Sequence, residues 1–297
     1  MPVIKANGID ICYEQTGADG NPAVLLIHGI GCQLVQWPSS FVEGLVAAGF
    51  NVIRMDNRDA GLSEKMDALG SVDLMALFTA FHSRKLLKPP YMLRNMADDA
   101  VALLDSLDQK SAHIVGVSMG GMIAQRAAIH HPNRVLSLAS IMSTSGAADL
   151  PPPDPAAIGS IMTVPVSLVR SDIIAQLGQS WDLIGGPYFK STEVGMGRLV
   201  EAAYDRGRYP AGFLRQMTAV MADTDRAQNL PRITAPTLVI HGDVDALVPL
   251  ACGEDTARRI PGAKLTIMRK MGHDLPEPLI PDILAGLAAH LRAATAH

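Results

Sequence analysis

The run Gly116-Val117-Ser118-Met119-Gly120-Gly121 holds the strongest chemical signal in the chain. It fits G-x-S-x-G, a pattern that sets a serine hydroxyl on a sharp turn between a strand and a helix. The flanks carry more weight than the pattern. Ala112, Ile114, Val115 and Val117 form a short apolar run suited to a buried parallel strand. From Met119 to His131 the residues are mostly good helix formers, and Pro132 ends the helix. Gly116 and Gly120 lack a Cβ, so strand, turn and helix can approach closely. The Ser118 hydroxyl is then exposed above the sheet edge, and the helix N-terminus behind it favours negative charge developing nearby.

A serine hydroxyl is a weak nucleophile and needs a base to take its proton. Of the nine histidines, His273 lies just past the last expected strand, in Met271-Gly272-His273-Asp274. His130 and His131 suit a helix C-terminus, and His113 starts the serine's own strand at the end away from the hydroxyl. His28 and His241 sit at strand ends on the correct side and compete with His273. The base in turn needs an acid to fix its tautomer and stabilise the imidazolium. His241-Gly242-Asp243-Val244-Asp245 offers two, Asp243 and Asp245. Either gives the chain order Ser, Asp, His, drawn from three separate strand ends. A further loop, His28-Gly29-Ile30-Gly31, follows a continuously apolar strand, where open α/β sheets place ligands. Its Ile30 N–H is a candidate donor to an oxyanion.

The elements that must position these residues alternate strand and helix. A hairpin turns at Asn7-Gly8. Strands are expected at Pro22–Ile27, Asn51–Met55, 112–117, Val135–Met142, Pro236–His241 and Lys264–Met268. Helices are expected at Gln36–Ala48, Val72–Leu87, Tyr91–Leu107, Pro249–Ile260 and from Glu277 to Ala293. Leu74, Leu77, Phe78 and Phe81 make a stripe on the second of these, core or pocket wall. The charged loop Asp56-Asn57-Arg58-Asp59 is expected to lock itself through Asp–Arg hydrogen bonds, as scaffold. This alternation implies a mostly parallel sheet flanked by helices. Residues 146–229 break the pattern, with a Pro-rich opening, no clear buried strand and several weakly amphipathic stretches. They read as a helical cap inserted into a core formed by 1–145 and 230–297. Trp181, Tyr188, Phe189 and Phe213 of the insertion are candidate substrate-binding residues.

The chain resembles the α/β-hydrolase superfamily over essentially its whole length, and within it the esterases similar to aclacinomycin methylesterase. The resemblance is carried by 52–63 (VIRMDNRDAGLS), 96–105 (MADDAVALLD) and 112–125 (AHIVGVSMGGMIAQ). It implies the α/β-hydrolase fold, Ser118 as nucleophile, His273 as base, and oxyanion donors from Ile30 and Met119. A G-x-x-D pattern aligned on Gly242 puts the acid at Asp245. Position agrees: Asp243, at the strand end, readily caps its own turn, whereas Asp245 lies further out over the sheet edge.

Composition bounds the rest. The 297 residues are 48% hydrophobic and 18% charged, enough for an extensive core. A net charge of −4 without a basic run argues against nucleic acid. Three scattered cysteines suggest neither a disulfide framework nor a zinc site. No signal peptide or membrane-length apolar run is visible, so a cytoplasmic protein is expected. The expected activity is cofactor-free and metal-free hydrolysis of a small-molecule carboxylic ester through an acyl-enzyme. C–C hydrolysis, lactone opening and perhydrolysis use the same residues. A ligand-binding protein that has lost turnover is the alternative from another class. Oligomeric state is not fixed by these features.

Overall fold

Eight strands in the computed structural model form one sheet: β1 (Val3–Ala6), β2 (Ile9–Thr16), β3 (Ala23–Ile27), β4 (Asn51–Met55), β5 (Ala112–Val117), β6 (Val135–Ile141), β7 (Thr237–Gly242) and β8 (Lys264–Met268). Residues 1–83, 88–163, 167–190 and 196–295 are described. The spatial order is β1-β2-β4-β3-β5-β6-β7-β8. β1 and β2 pair antiparallel, β2 joins β4 antiparallel, and every later pairing is parallel. The expected fold class is therefore present. Its parallel part directs the C-terminal ends of β3, β5, β7 and β8 to one edge.

The strands are apolar because both faces are covered. Along β3, Leu25 and Ile27 enter one cluster, while Val24 and Leu26 enter the other, as the period of two requires. The first cluster takes Met96, Leu103 and Leu104 from α3 (Leu93–Ser106) and Ile123 from α4 (Met119–His130). The second takes Phe41 and Leu45 from α1 (Ser39–Ala47) and Ile283 and Leu287 from α11 (Ile280–Thr295). Each such fully buried side chain contributes about 1.5–3 kcal/mol relative to exposure.

At two helices a proline moves the start from where it was expected. Instead of one helix from Gln36, a 3-10 turn spans Leu34–Gln36, Pro38 takes an extended ψ of 135°, and α1 starts at Ser39. Glu277–Leu279, with Pro278, is likewise a 3-10 turn before α11. The helix expected over 72–87 is α2 (Leu74–Ser83), and the one expected over Pro249–Ile260 is α10 (Leu250–Arg259). Residues 84–87 and the side chains of Phe78 and Phe81 lie outside the described set.

Between β6 and β7 the chain runs through α5 (Pro155–Met162), α6 (Arg170–Ile184), α7 (Met196–Gly207), α8 (Pro210–Met221) and the short α9 (Arg226–Asn229). The charged loop after β4 fastens this insertion, and here the expectation that it locks itself is corrected. Asp56 pairs with Arg206 of α7 at 2.6 Å, and Asp59 takes Arg215 of α8 in a two-pronged bond at 2.7 and 2.9 Å. Arg58 turns to Asp99 of α3 at 2.6 Å. The charged side chains of this loop thus pair with neighbouring elements and not with one another. Among the described residues no helix is long and apolar enough to cross a membrane.

Candidate active site

The turn after β5 is forced into an unusual shape. Ser118 has φ +55° and ψ −123°, a conformation side-chain-bearing residues rarely adopt. Its neighbours hold it there. The Ser118 N–H donates to Ile141 O of β6 at 3.0 Å. Its carbonyl accepts from Gly121 N at 2.9 Å and from Ser143 Oγ at 2.7 Å. Such strain persists only where surrounding contacts over-determine it. Gly116 and Gly120 are required by space: a Cβ at Gly116 would lie 2.1 Å from Gly120 O, and one at Gly120 would lie 2.0 Å from Ile27 O.

The loops after β7 and β8 bring two more side chains to this turn. His273 Nε2 lies 2.9 Å from Ser118 Oγ, and its Nδ1 lies 2.8 Å from Asp245 Oδ2. An ionised carboxylate only accepts, so Nδ1 carries the proton and Nε2 is free to receive the one on Oγ. The other Asp245 oxygen accepts from Leu247 N at 2.9 Å and Val248 N at 2.8 Å, which fixes the carboxylate in place. The insertion holds His273 from the opposite side, its N–H donating to Ile184 O at 2.8 Å.

The rival groups are engaged elsewhere. Asp243 Oδ1 accepts from Lys270 N at 2.6 Å, and Arg269 stands 3.4 Å from its other oxygen. It therefore caps the turn after β8 and not its own. His28 Nδ1 accepts from Gly29 N at 2.8 Å, and burial lowers its pKa to about 4, so it stays neutral. His241 Nε2 donates to Val248 O at 2.7 Å, and burial lowers its pKa too. His113 lies at the far end of β5 between Ser137 Oγ at 2.8 Å and Thr295 Oγ1 at 3.0 Å.

Ile30, in the loop after β3, and Met119, the first residue of α4, flank Ser118. Among the described residues neither N–H has an acceptor, while the adjacent Gly31 N–H donates to Gln216 Oε1 at 2.7 Å. A pair of unused donors beside a nucleophile can hold an oxyanion.

Ser118 and His273 open into a cavity of about 270 Å³ between the sheet edge and the insertion, with a mostly apolar lining. Of the four candidate aromatic residues, Trp181 and Phe213 line it; Tyr188 and Phe189 do not. Gly186 at φ +85° and Pro187 turn the chain outward after α6, and the Tyr188 ring lies over Lys270 Nζ at 5.5 Å. Leu74 of α2, Tyr204, Arg208 and Tyr209 also line the cavity. So does Asp274, 5% exposed, with Oδ1 buried and unpartnered. Burial raises its pKa to about 7, opposed by nearby His273 and assisted by Asp245. Sequence reasoning gave it no role. The one available signal was an acid directly after the candidate base on a strand-end loop.

The family model described as the alpha/beta hydrolase fold matches residues 22–277. A rhodomycin D methylesterase of Streptomyces sp. (strain C5) is 30% identical over 99% of this chain and 98% of its own. A 2-hydroxy-6-oxononadienedioate/2-hydroxy-6-oxononatrienedioate hydrolase of Cupriavidus pinatubonensis is 29% identical over 88% of this chain and 83% of its own. Among solved structures, an enol-lactonase from Burkholderia xenovorans superposes with TM-score 0.73 at 21% identity, covering 98% of this chain and 100% of that one.

Proposed function

The chain belongs to the α/β-hydrolase fold family as a hydrolase of that type, and from that premise we propose that it is a serine hydrolase of carboxylic esters. The observation that carries the reading is the relay Ser118–His273–Asp245, with contacts of 2.9 and 2.8 Å, opening into a mostly apolar cavity. Ser118 Oγ attacks the ester carbonyl carbon while its proton passes to His273 Nε2. The carbonyl oxygen becomes an anion and takes hydrogen bonds from the Ile30 and Met119 N–H groups. Losing one such donor costs about 3 kcal/mol in comparable enzymes. His273 then protonates the departing alcohol, and an acyl group stays on Ser118. Water, activated by the same imidazole, releases the acid. Asp245 keeps the proton on Nδ1 and stabilises the imidazolium at each step. The helical insertion over 146–229 acts as a cap that sets specificity, and Trp181 and Phe213 are its contacts to substrate.

The similarity to the rhodomycin D methylesterase supports an ester substrate. C–C hydrolysis, supported by the second relative, is the other reading. That relative's name describes a dioate, a doubly anionic substrate. This cavity has one arginine on its lining, Arg208, and a buried acid, Asp274, which suits an ester with an apolar body better. A panel of methyl and p-nitrophenyl esters, a lactone and a vinylogous 1,5-diketone against pure protein separates these readings. Ester turnover abolished by Ser118→Ala is expected. Turnover of the diketone alone would move the assignment to C–C hydrolysis, and turnover of none would remove the hydrolytic reading.

A further inference from the structure

Asp274 is the only acid lining the cavity among the described residues, and it is the residue after His273. Its Oδ1 is buried without a partner, and no described group donates to Oδ2 either. Two neighbouring backbone donors are already used: the His273 N–H by Ile184 O, and the Gly185 N–H by Trp181 O, both at 2.8 Å. Gly185 leaves room for the carboxyl, since a Cβ there would stand 3.0 Å from Asp274 Oδ2. What surrounds the carboxyl on that side is the C-terminal end of α6, where carbonyls point outward and disfavour negative charge. A buried polar group in this condition destabilises the fold and calls for an explanation.

A structural explanation fails because the carboxyl bonds nothing in the fold. We propose that Asp274 is a specificity-determining residue that hydrogen-bonds a hydroxyl on the substrate, so that the preferred esters carry an alcoholic or phenolic hydroxyl near the scissile group on an otherwise apolar body. This rests on the ester-hydrolase reading and narrows its substrate class. A hydroxyl fits both states of an acid that ionises at about 7: it donates to the carboxylate and accepts from the carboxylic acid. A ketone or ether serves only the acid form. An ammonium serves only the carboxylate and is costly to bring into an apolar cavity. A substrate without a polar group seals the remaining exposed edge of the carboxyl from water with nothing to replace it, and sites built to hydrogen-bond a substrate discriminate strongly against analogues lacking the group.

The test pairs esters that differ by one hydroxyl. Methyl phenylalkanoates are compared with their 2- and 3-hydroxy forms, phenylethyl esters with their hydroxyphenylethyl forms, and a 3-amino analogue is included. In the native protein at least one hydroxyl position should raise kcat/KM about tenfold or more over its plain partner. Asp274→Leu should reverse the order, lowering kcat/KM for the hydroxy ester and raising it for the plain one. Asp274→Asn, which still donates and accepts, should keep the hydroxyl preference. Damage to the fold or to His273 would lower both esters together.

Stability supplies a second readout. The folded carboxyl holds its proton to about pH 7, while an unfolded aspartate releases it near 3.8. Between those values the native state binds more protons, so this residue's contribution falls as pH rises. Asp274→Asn should therefore raise Tm, and more at pH 8 than at pH 4. A hydroxyl preference unmoved by Asp274→Leu at every position, a preference for the 3-amino ester, or a loss of Tm in both variants would overturn the proposal. Turnover of no ester by the native protein would instead remove the reading beneath it.

Discussion

The sheet edge and the helical insertion enclose one cavity, yet they are built on different terms. At the edge, the groups around Ser118 are set largely by backbone. Its own φ is fixed by bonds from β6 and α4, Asp245 is held by two N–H groups, and two glycines are required by interatomic contact. The insertion has no sheet to complete. It is fastened by a few buried ion pairs, chiefly Asp56–Arg206, Asp59–Arg215 and Arg126–Asp223. It also leaves Leu168 95% and Val169 58% exposed. Chemistry requires sub-ångström placement and sits on the over-determined side. In the proposed reading, discrimination between substrates tolerates looser walls, and the insertion supplies them.

The largest expected effect breaks the rigid side. Asp245→Asn should fold normally and lose about 10⁴ in kcat, the scale known for the same change in a serine protease, because an amide favours the wrong histidine tautomer. Steady-state kinetics beside an unchanged circular dichroism spectrum checks it. If kcat stayed within tenfold of native, the edge would not owe its activity to this relay.

The next concerns the fastening. Arg215→Met leaves Asp59 buried without its cation and should cost about 3–5 kcal/mol in urea unfolding. Adding Asp59→Asn should recover part of that loss. Equal stability in all three proteins would mean that the insertion is not held through this pair.

Smaller effects sharpen the contrast in specificity. Alanine at Trp181 or Phe213 should shift the kcat/KM ratio between short and bulky esters by about tenfold. Tyr188→Ala, whose ring lies outside the cavity over Lys270, should leave the ratio alone. The opposite pattern would relocate the pocket wall. The smallest effect is at the edge again. Asp243→Asn should cost about 1 kcal/mol of stability, through a weakened bond to Lys270 N, with kcat intact.

This contrast also decides what could be read in the sequence. The strands, their mostly parallel pairing and the strand-end positions of Ser118, Asp245 and His273 follow from short apolar runs, strand–helix alternation and glycine spacing. Those are local features that a parallel sheet translates directly into position. The pocket wall is not local. Tyr188 and Phe189 have the same aromatic chemistry as Trp181 and Phe213, and only the turn at Gly186 and Pro187 sends them outside. The partners of Asp56, Arg58 and Asp59 lie about 40 to 160 residues away along the chain, on helices whose placement no spacing rule predicts. Asp274 stayed unseen for the same reason: its meaning lies in what fails to reach it.

The central claim is that Ser118 is a nucleophile activated by His273. An alkyl fluorophosphonate should modify the folded protein at one residue, and peptide mass mapping should place the adduct on Ser118, in step with loss of ester hydrolysis. Ser118→Ala should take up no label. An adduct elsewhere with activity lost, or labelling that persists in Ser118→Ala, would contradict the account.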